Sequence, residues 1–303
     1  MSIDQKKKRF LVLLIPVILL TVMAWYSGGC SSLYYFPDNR SYYDPEEFSF
    51  EYESDFLKVQ DDERIHFWYF PSQTKQTKAV VLHFHGNAQN ISSHFLLSAW
   101  LVRYGFDVMI FDYRGYGKSD GTPSPENTYQ DALVALSEAS GRAYEKGVPL
   151  IILGQSLGGA VALRAIVDSD ARNEVALFVA DSTFPSYRRI VERKASEILF
   201  APLAPFVSFF FSNRRSPEET INEISPIPVL VMHSSMDPVV GYENGKDLYQ
   251  SLGPPRRFYR IPDAGHLSWS RDGQSVTDQM LIDTMNRALQ AHRNGTSPFD
   301  ITE

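Results

Sequence analysis

Residues 149–159 read PLIILGQSLGG, a short apolar run that leads directly into the motif GQSLG at 154–158. The apolar run at 149–153 predicts a buried strand, and the apolar spacing at 157–168 predicts a helix. A G-x-S-x-G motif between a strand and a helix is typical of a tight turn that exposes a nucleophilic serine. We therefore expect Ser156 to be a nucleophile; the alternative is a structural serine in a glycine-rich turn.

On both sides of this turn, apolar runs of strand length alternate with segments of helical spacing. This alternation predicts an α/β fold with a mostly parallel central sheet and helices on both faces. The predicted strands are 49–59, 64–70, 78–84, 106–111, 149–153, 175–180, 227–232 and 256–261, and the predicted helices are 91–103, 126–145, 157–168, 243–252 and 274–292.

An apolar insert, about residues 184–222, separates two of the predicted strands. It contains a phenylalanine-rich run at 206–211. A structureless loop of this length would be unusual in a compact domain. We interpret the insert as a helical cap over a binding pocket; a pair of packed surface helices is the alternative.

A serine hydroxyl needs a base, and the base needs a carboxylate that orients it. His266 follows the predicted strand at 256–261, and Asp237 follows the predicted strand at 227–232. Both should therefore lie at the same carboxyl edge of the sheet as Ser156. The chain order of serine, aspartate and histidine is the order expected for this kind of fold.

Other histidines and acids compete for these roles. His83 and His85 lie at the end of a different predicted strand, where they are expected to shape the site rather than accept a proton. Asp112 precedes Arg114 and is expected to form an ion pair that fixes its loop. Asp181 ends a predicted strand and is the second candidate for the acid.

Negative charge develops on a substrate carbonyl oxygen during attack, and two backbone N–H groups can stabilise it. Leu157, the residue after the nucleophile, should supply one. Asn87, in the loop HGNA at 85–88, should supply the other, with its two immediate neighbours as the alternatives.

Composition limits the classes of protein. The chain has 303 residues, 44% hydrophobic residues and a formal charge of −7, which suits a large globular domain at 48–303. No long basic run lies outside the extreme N-terminus, so we expect no nucleic-acid partner. The segment at 30–47 is expected to be an extended lead-in.

The N-terminus has the pattern of a targeting segment. A basic cluster at 6–9 precedes an apolar run at 10–26, and two glycines precede Cys30, the one cysteine of the chain. This pattern resembles a bacterial lipoprotein signal, from which it departs at Ser27, and the resemblance implies that Cys30 is acylated. An uncleaved anchor within 1–29 and a buried apolar segment are the alternatives. Either anchor would attach the protein to a membrane outside the cytoplasm.

Five motifs together resemble one subgroup of the α/β-hydrolase family, which includes esterases, thioesterases and serine aminopeptidase-like domains. They are HFHGNA at 83–88, DYRGYGKSDG at 112–121, GQSLGG at 154–159, Asp237 and AGH at 264–266. The resemblance implies hydrolysis of a carboxylic ester without a metal or a cofactor, with a small-molecule acyl ester as the substrate. Thioester or small-peptide hydrolysis is the alternative enzymatic function, and a non-catalytic membrane-tethered lipoprotein is the alternative outside enzymes.

Overall fold

The computed structural model describes residues 35–198, 204–209, 211–269 and 272–299. Within these ranges the chain builds an eight-stranded sheet. Its strands are β1 (Glu53–Lys58), β2 (Arg64–Phe70), β3 (Ala79–Phe84), β4 (Phe106–Phe111), β5 (Leu150–Gln155), β6 (Val175–Asp181), β7 (Val229–Ser234) and β8 (Arg256–Ile261).

The strands lie in the order β8-β7-β6-β5-β3-β4-β2-β1. Every pair from β8 to β4 is parallel, whereas β2 pairs antiparallel with both β4 and β1. The central strand β3 pairs with β5 in the register His83 to Leu153. The prediction of a mostly parallel sheet is therefore confirmed, and the antiparallel strands form one edge of it.

The central strands of the sheet, from β4 to β7 in the strand order, are buried on both faces. Alternate residues of the central strands, such as Val81 and Leu153, join one apolar cluster with the C-terminal helix. The residues between them, such as Leu82 and Ile152, are also fully buried. Since successive side chains of a strand point to opposite faces, both faces must be covered. This explains why these strands are almost continuously apolar in sequence.

The described residues form seven α-helices, joined by shorter 3₁₀ segments. The α-helices are α1 (Ile91–His94), α2 (Pro125–Lys146), α3 (Leu157–Ala165), α4 (Tyr187–Ile198), α5 (Ala204–Phe209), α6 (Tyr242–Ser251) and α7 (Val276–Asn294). The 3₁₀ segments are Pro45–Phe48, Gln60–Asp62, Phe95–Leu97, Ala99–Tyr104, Ile166–Asp168, Asp170–Glu174, Pro217–Glu219 and Ile221–Glu223.

The predicted helix at 91–103 is wrong as a single element. It consists of α1 and two 3₁₀ segments that meet at Ser98. Ser98 has φ −137° and ψ −29°, outside the helical region. Its side chain is fully buried and hydrogen bonds to His83 on β3. A tertiary contact thus interrupts a segment whose apolar spacing is helical.

The insert groups separately from the rest of the chain. The described residues within 187–213 form one compact unit with α4 and α5, and the described residues of 35–186 and 214–299 form the second. Within the insert unit, the backbone N–H of Arg188 donates to the side chain of Asn213 at 3.0 Å. Among the described residues of the predicted insert, α4 and α5 are the two α-helices.

The predicted N-terminal signal or anchor at 1–29 and the acylation site Cys30 lie outside the described residues. Inside those residues, no helix has both the length and the apolarity needed to span a bilayer. The described part of the lead-in pairs at Phe36–Pro37 with Ala88–Gln89 in a short parallel bridge.

Candidate active site

Ser156 occupies a strained turn between β5 and α3. Its φ is 52° and its ψ is −122°, a conformation that L-residues rarely adopt. The backbone N–H of Ser156 donates to the carbonyl of Asp181 at 3.0 Å, and its carbonyl accepts from Thr183 Oγ1 at 2.6 Å. Strain of this kind persists where surrounding contacts hold it in place. Ser156 directly precedes α3, so it lies next to the first N–H groups of that helix.

Glycine is required beside this turn because backbones approach closely there. A Cβ on Gly158 would overlap the carbonyl oxygens of Phe84 and His85 at the end of β3. A Cβ on Gly154 would lie 2.6 Å from Cα of Gly159. Such contacts leave no space for a side chain, so the glycines of the motif allow α3 to start against the sheet.

Asp237 and His266 are hydrogen-bonded to each other at the same edge of the sheet. Asp237 follows β7, His266 follows β8, and Asp237 Oδ2 lies 2.7 Å from His266 Nδ1. The other carboxylate oxygen accepts the backbone N–H groups of Val239 and Val240 at 2.8 and 2.9 Å. Burial alone would raise the pKa of Asp237, but the hydrogen bond and charge of His266 and the two amides outweigh it and lower the pKa. The carboxylate is therefore ionised at neutral pH.

His233, which the sequence did not single out, supports the turn that carries Asp237. Its Nε2 lies 2.7 Å from the carbonyl of Val240 and 3.6 Å from Asp237 Oδ2. A carbonyl accepts only, so Nε2 carries the proton. Burial lowers the pKa of His233, and the ring is therefore neutral at pH 7. Gly245 packs so closely on the ring that a Cβ there would overlap it.

The loop after β3 also reaches the nucleophile. A Cβ built on Gly86 would lie 3.6 Å from Cβ of Ser156 and 3.9 Å from Cδ1 of Leu267, the residue after His266. The structure therefore brings the loop after β3, the nucleophile turn and the loop after β8 to one place. The predicted residues Ser156 and His266 lie in two of these three segments.

The predicted oxyanion residues are held by their neighbours. Leu157 is the first residue of α3, and the first N–H groups of a helix have no partner within the helix. Asn87 follows Gly86; its carbonyl oxygen accepts from Tyr116 Oη at 2.7 Å and from the backbone N–H of Phe36 at 3.3 Å. These bonds anchor the loop next to Ser156.

Asp112 does not form the expected ion pair with Arg114. Arg114 instead pairs with Asp131, through Nε and Oδ1 at 2.7 Å, and with Glu63 at 3.1 Å. Asp112 fixes its loop differently, by accepting the backbone N–H of Ile91 at 2.9 Å. Asp112 and Arg114, which lie two residues apart just after β4, therefore contact different neighbours. Their order in the chain does not reveal which neighbours these are.

The competing histidines have other partners. His83 lies between Ser98 and Gln155, and His85 Nδ1 contacts the carbonyl of Gly86 at 2.7 Å. Asp181, the second candidate for the acid, is bonded to Gln155 and Trp269. Across the part of the chain that the structure describes, no three His, Cys, Asp or Glu side chains are grouped as metal ligands.

A parallel sheet with a serine on a strained strand-to-helix turn, and a His–Asp pair beyond the next strands, defines the class of α/β hydrolases. Residues 75–215 match the family model described as serine aminopeptidase, S33. The chain is 33% identical over 255 residues to the Escherichia coli K12 protein YfhR, an alignment that covers 82% of this chain and 85% of YfhR. The chain belongs to the α/β-hydrolase family, and it is a hydrolase.

More distant proteins share the same fold. The Arabidopsis thaliana protein WAV2, described as α/β-hydrolase domain-containing, is 28% identical, with 74% of this chain and 75% of WAV2 covered. An esterase from Pyrococcus furiosus superposes with a TM-score of 0.65 at 21% identity, covering 84% of this chain and 97% of the esterase. An α/β hydrolase from Vibrio vulnificus superposes with a TM-score of 0.62 at 24% identity, covering 76% of this chain and 80% of its own.

Proposed function

We propose that the protein is a serine hydrolase that cleaves carboxylic esters through Ser156, His266 and Asp237. The observation that carries the proposal is the 2.7 Å hydrogen bond between His266 Nδ1 and Asp237 Oδ2, beside the loop that flanks Ser156. A carboxylate in this position fixes the proton on Nδ1 and leaves Nε2 as the acceptor. It also stabilises the imidazolium that forms when the ring takes a proton.

In the proposed reaction, His266 removes the proton from Ser156 Oγ while the oxygen attacks the acyl carbonyl. The backbone N–H groups of Leu157 and Asn87 stabilise the oxyanion. His266 then gives its proton to the leaving alcohol, and the C–O bond of the ester breaks. Water attacks the acyl-enzyme in the same way, with His266 again as base, and Ser156 is regenerated with release of the acid.

A fluorophosphonate probe tests the nucleophile, because it reacts with activated serines. We expect the intact protein to be labelled and the Ser156→Ala variant to lose the label. Ser92 in α1, which is as buried as Ser156, provides a matched control. Ser92→Ala should keep the label. Absence of labelling in the wild type, or labelling that survives Ser156→Ala, would contradict the proposal.

We propose an apolar acyl group for the substrate, with the insert as a cap. The support is the apolar composition of 184–222 and the two helices within it. Comparing kcat/KM on short-, medium- and long-chain p-nitrophenyl esters tests this. We expect the longer chains to be preferred, and a strict preference for acetate would contradict it.

The hydrolysis of peptide or aminoacyl amides is a second candidate, favoured by the family description of serine aminopeptidase over 75–215. Thioester hydrolysis uses the same triad and is the third. Assaying an ester, an acyl thioester and an aminoacyl amide of similar size with one preparation separates them. The ester should give the highest kcat/KM, and a higher value for the amide would replace our proposal.

We further propose that residues 1–30 tether the enzyme to a membrane on its extracytoplasmic side, with Cys30 acylated. The support is the basic, apolar and small-residue pattern at 6–30. Metabolic labelling with a palmitate analogue should mark the wild type and not Cys30→Ala. Equal labelling of both would exclude acylation at Cys30, and membrane fractionation would then decide whether 1–29 is an uncleaved anchor.

A further inference from the structure

Asp181, the second candidate for the acid in the sequence, is the centre of a network of buried hydrogen bonds. It ends β6 and is fully buried. Its Oδ2 accepts from Gln155 Nε2 at 2.9 Å and from Trp269 Nε1 at 3.1 Å. Its Oδ1 accepts from Ser182 Oγ at 3.0 Å. Donors from β5 and from the loop after β8 therefore converge on one carboxylate.

The network of hydrogen bonds continues from Gln155 on β5 to His83 on β3, the strand on the other side of β5. Gln155 Oε1 lies 2.7 Å from His83 Nε2, and His83 Nδ1 lies 2.8 Å from Ser98 Oγ. The NH₂ of Gln155 donates to Asp181, so its oxygen faces His83. Because an amide oxygen only accepts, His83 Nε2 donates to Gln155.

This network contacts both the turn that carries Ser156 and the loop that carries His266. Gln155 directly precedes Ser156, and the backbone carbonyl of Asp181 accepts the N–H of Ser156 at 3.0 Å. Trp269 follows His266 by three residues in the same loop. The strands before these segments, β5 and β8, are not neighbours, because β6 and β7 lie between them. A link across the sheet edge is needed to hold the two segments together, and Asp181 supplies one.

We propose that Asp181 is a positioning residue that sets the His266 loop relative to the Ser156 turn, an inference that rests on the proposed serine-hydrolase function. Its backbone holds the nucleophile turn and its side chain holds Trp269. Asp181 takes no part in proton transfer, because His266 Nδ1 is bonded to Asp237. Misplacement of reacting groups by about 1 Å can lower a rate on the order of 100-fold. Loosening this link should therefore reduce kcat more than substrate binding.

Trp269→Phe removes the N–H donor and keeps most of the ring. Trp100→Phe is the matched control, since Trp100 is similarly buried in the same apolar cluster but its Nε1 donates to the carbonyl of Leu97 at 3.2 Å. We expect Trp269→Phe to lower kcat by about 10-fold with KM within about twofold. Trp100→Phe should keep the wild-type kcat. The rate of fluorophosphonate labelling should follow kcat in both variants.

Asp181→Ala removes the side-chain hydrogen bonds of Asp181, whereas Asp181→Asn retains groups that can form them. Asparagine can still accept from Gln155 and Trp269 through its oxygen and donate to Ser182 through its NH₂. We expect Asp181→Ala to lose about 10- to 100-fold in kcat with little change in KM, and Asp181→Asn to recover most of it. Melting temperatures confirm that each variant is folded. If Asp181→Ala does not fold, the two tryptophan variants decide.

Two results would overturn the inference while leaving the proposed function intact. One is a labelled, active wild type in which Trp269→Phe loses no more kcat than Trp100→Phe. The other is a folded Asp181→Ala variant with the wild-type kcat. A wild type that is neither labelled nor active would overturn both proposals, because there would be no nucleophile to position.

Discussion

The imidazole Nδ1 of His266 lies 2.7 Å from Oδ2 of Asp237, although these residues come from the loops after two different strands. Asp181 is nearer to Ser156 in sequence than Asp237 is, yet it is bonded to Gln155 and Trp269 instead. The hydrogen bond to His266 therefore identifies Asp237 as the partner of the base, a choice between Asp181 and Asp237 that the chain order left open.

Asp237→Asn should lower kcat/KM by about 10⁴-fold, because an amide opposite His266 Nδ1 favours the wrong tautomer and cannot stabilise the imidazolium. Asp181→Asn, the same change in the second acid, should cost less than about tenfold, since the amide oxygen can keep both hydrogen bonds. Steady-state kinetics on one ester measure both. A larger loss in Asp181→Asn than in Asp237→Asn would show that Asp181 is the acid.

Ser156→Gly should be more stable than Ser156→Ala by about 1 kcal/mol, because glycine adopts a positive φ without the strain of a side chain. Both variants should be inactive. Urea unfolding measures the difference in the free energy of unfolding. Ser140, inside α2, is the control with a helical backbone; there the glycine variant should be the less stable by about 1 kcal/mol. The same sign at both positions would argue against strain at Ser156.

Gly158→Ala should destabilise the protein by about 1–3 kcal/mol, since the added Cβ overlaps the carbonyl oxygens of Phe84 and His85. It should also lower the rate of fluorophosphonate labelling, because α3 must shift away from β3. Gly141→Ala is the matched control: it lies inside α2, and a Cβ there meets nothing within 4 Å. That variant should gain about 0.5–1 kcal/mol. A neutral Gly158→Ala would contradict the close approach.

The stabilisation that Glu126 contributes should depend on pH. Its carboxylate accepts from Arg215 Nε and Nη2 at 3.0 and 2.9 Å, and these hydrogen bonds are the main cause that lowers the pKa of Glu126 from 4.5 to about 2. Because the pKa is lower in the folded protein, the stabilisation is present above pH 4.5 and is lost as the pH falls towards about 2. The difference in melting temperature between the wild type and Glu126→Gln should therefore shrink between pH 6 and pH 3. A difference that stays constant would show that the pair contributes nothing.

Local pattern was sufficient for most of the fold. The strands at 106–111 and 256–261 have the predicted bounds. The first is buried along its whole length and apolar except for Asp107, as a strand covered on both faces should be. The second is a partly buried edge strand with three arginines. The nucleophile turn was equally predictable, since a serine between a strand and a helix with glycines on both sides has few other structures available. The segment at 91–104 was not, because its helical spacing is interrupted by the contact between Ser98 and His83.

The roles of the acids and of His233 could be assigned only from the tertiary structure. Asp112, Asp181 and Asp237 all lie at or just beyond the end of a strand, and their spacing in the chain does not show which donors each one meets. Arg114 pairs with Asp131 from α2, which is distant in sequence from the loop it stabilises. His233 lies in an apolar strand, where its contact with Val240 has no signal in the sequence. A hydrogen-bonded partner depends on a few ångströms of side-chain geometry, which periodicity does not encode.

The sequence by itself determined the parallel sheet, the position of Ser156 on a sharp turn and the edge of the sheet at which His266 and Asp237 would lie. These follow from local apolar periodicity and from the steric demands of glycine, which act within a few residues. Tertiary structure alone decided that His266 contacts Asp237, and that Asp181 instead links Gln155 to Trp269. Those choices depend on how strands distant in the chain are ordered and twisted in the sheet, because only that order sets which side chains come within hydrogen-bonding distance.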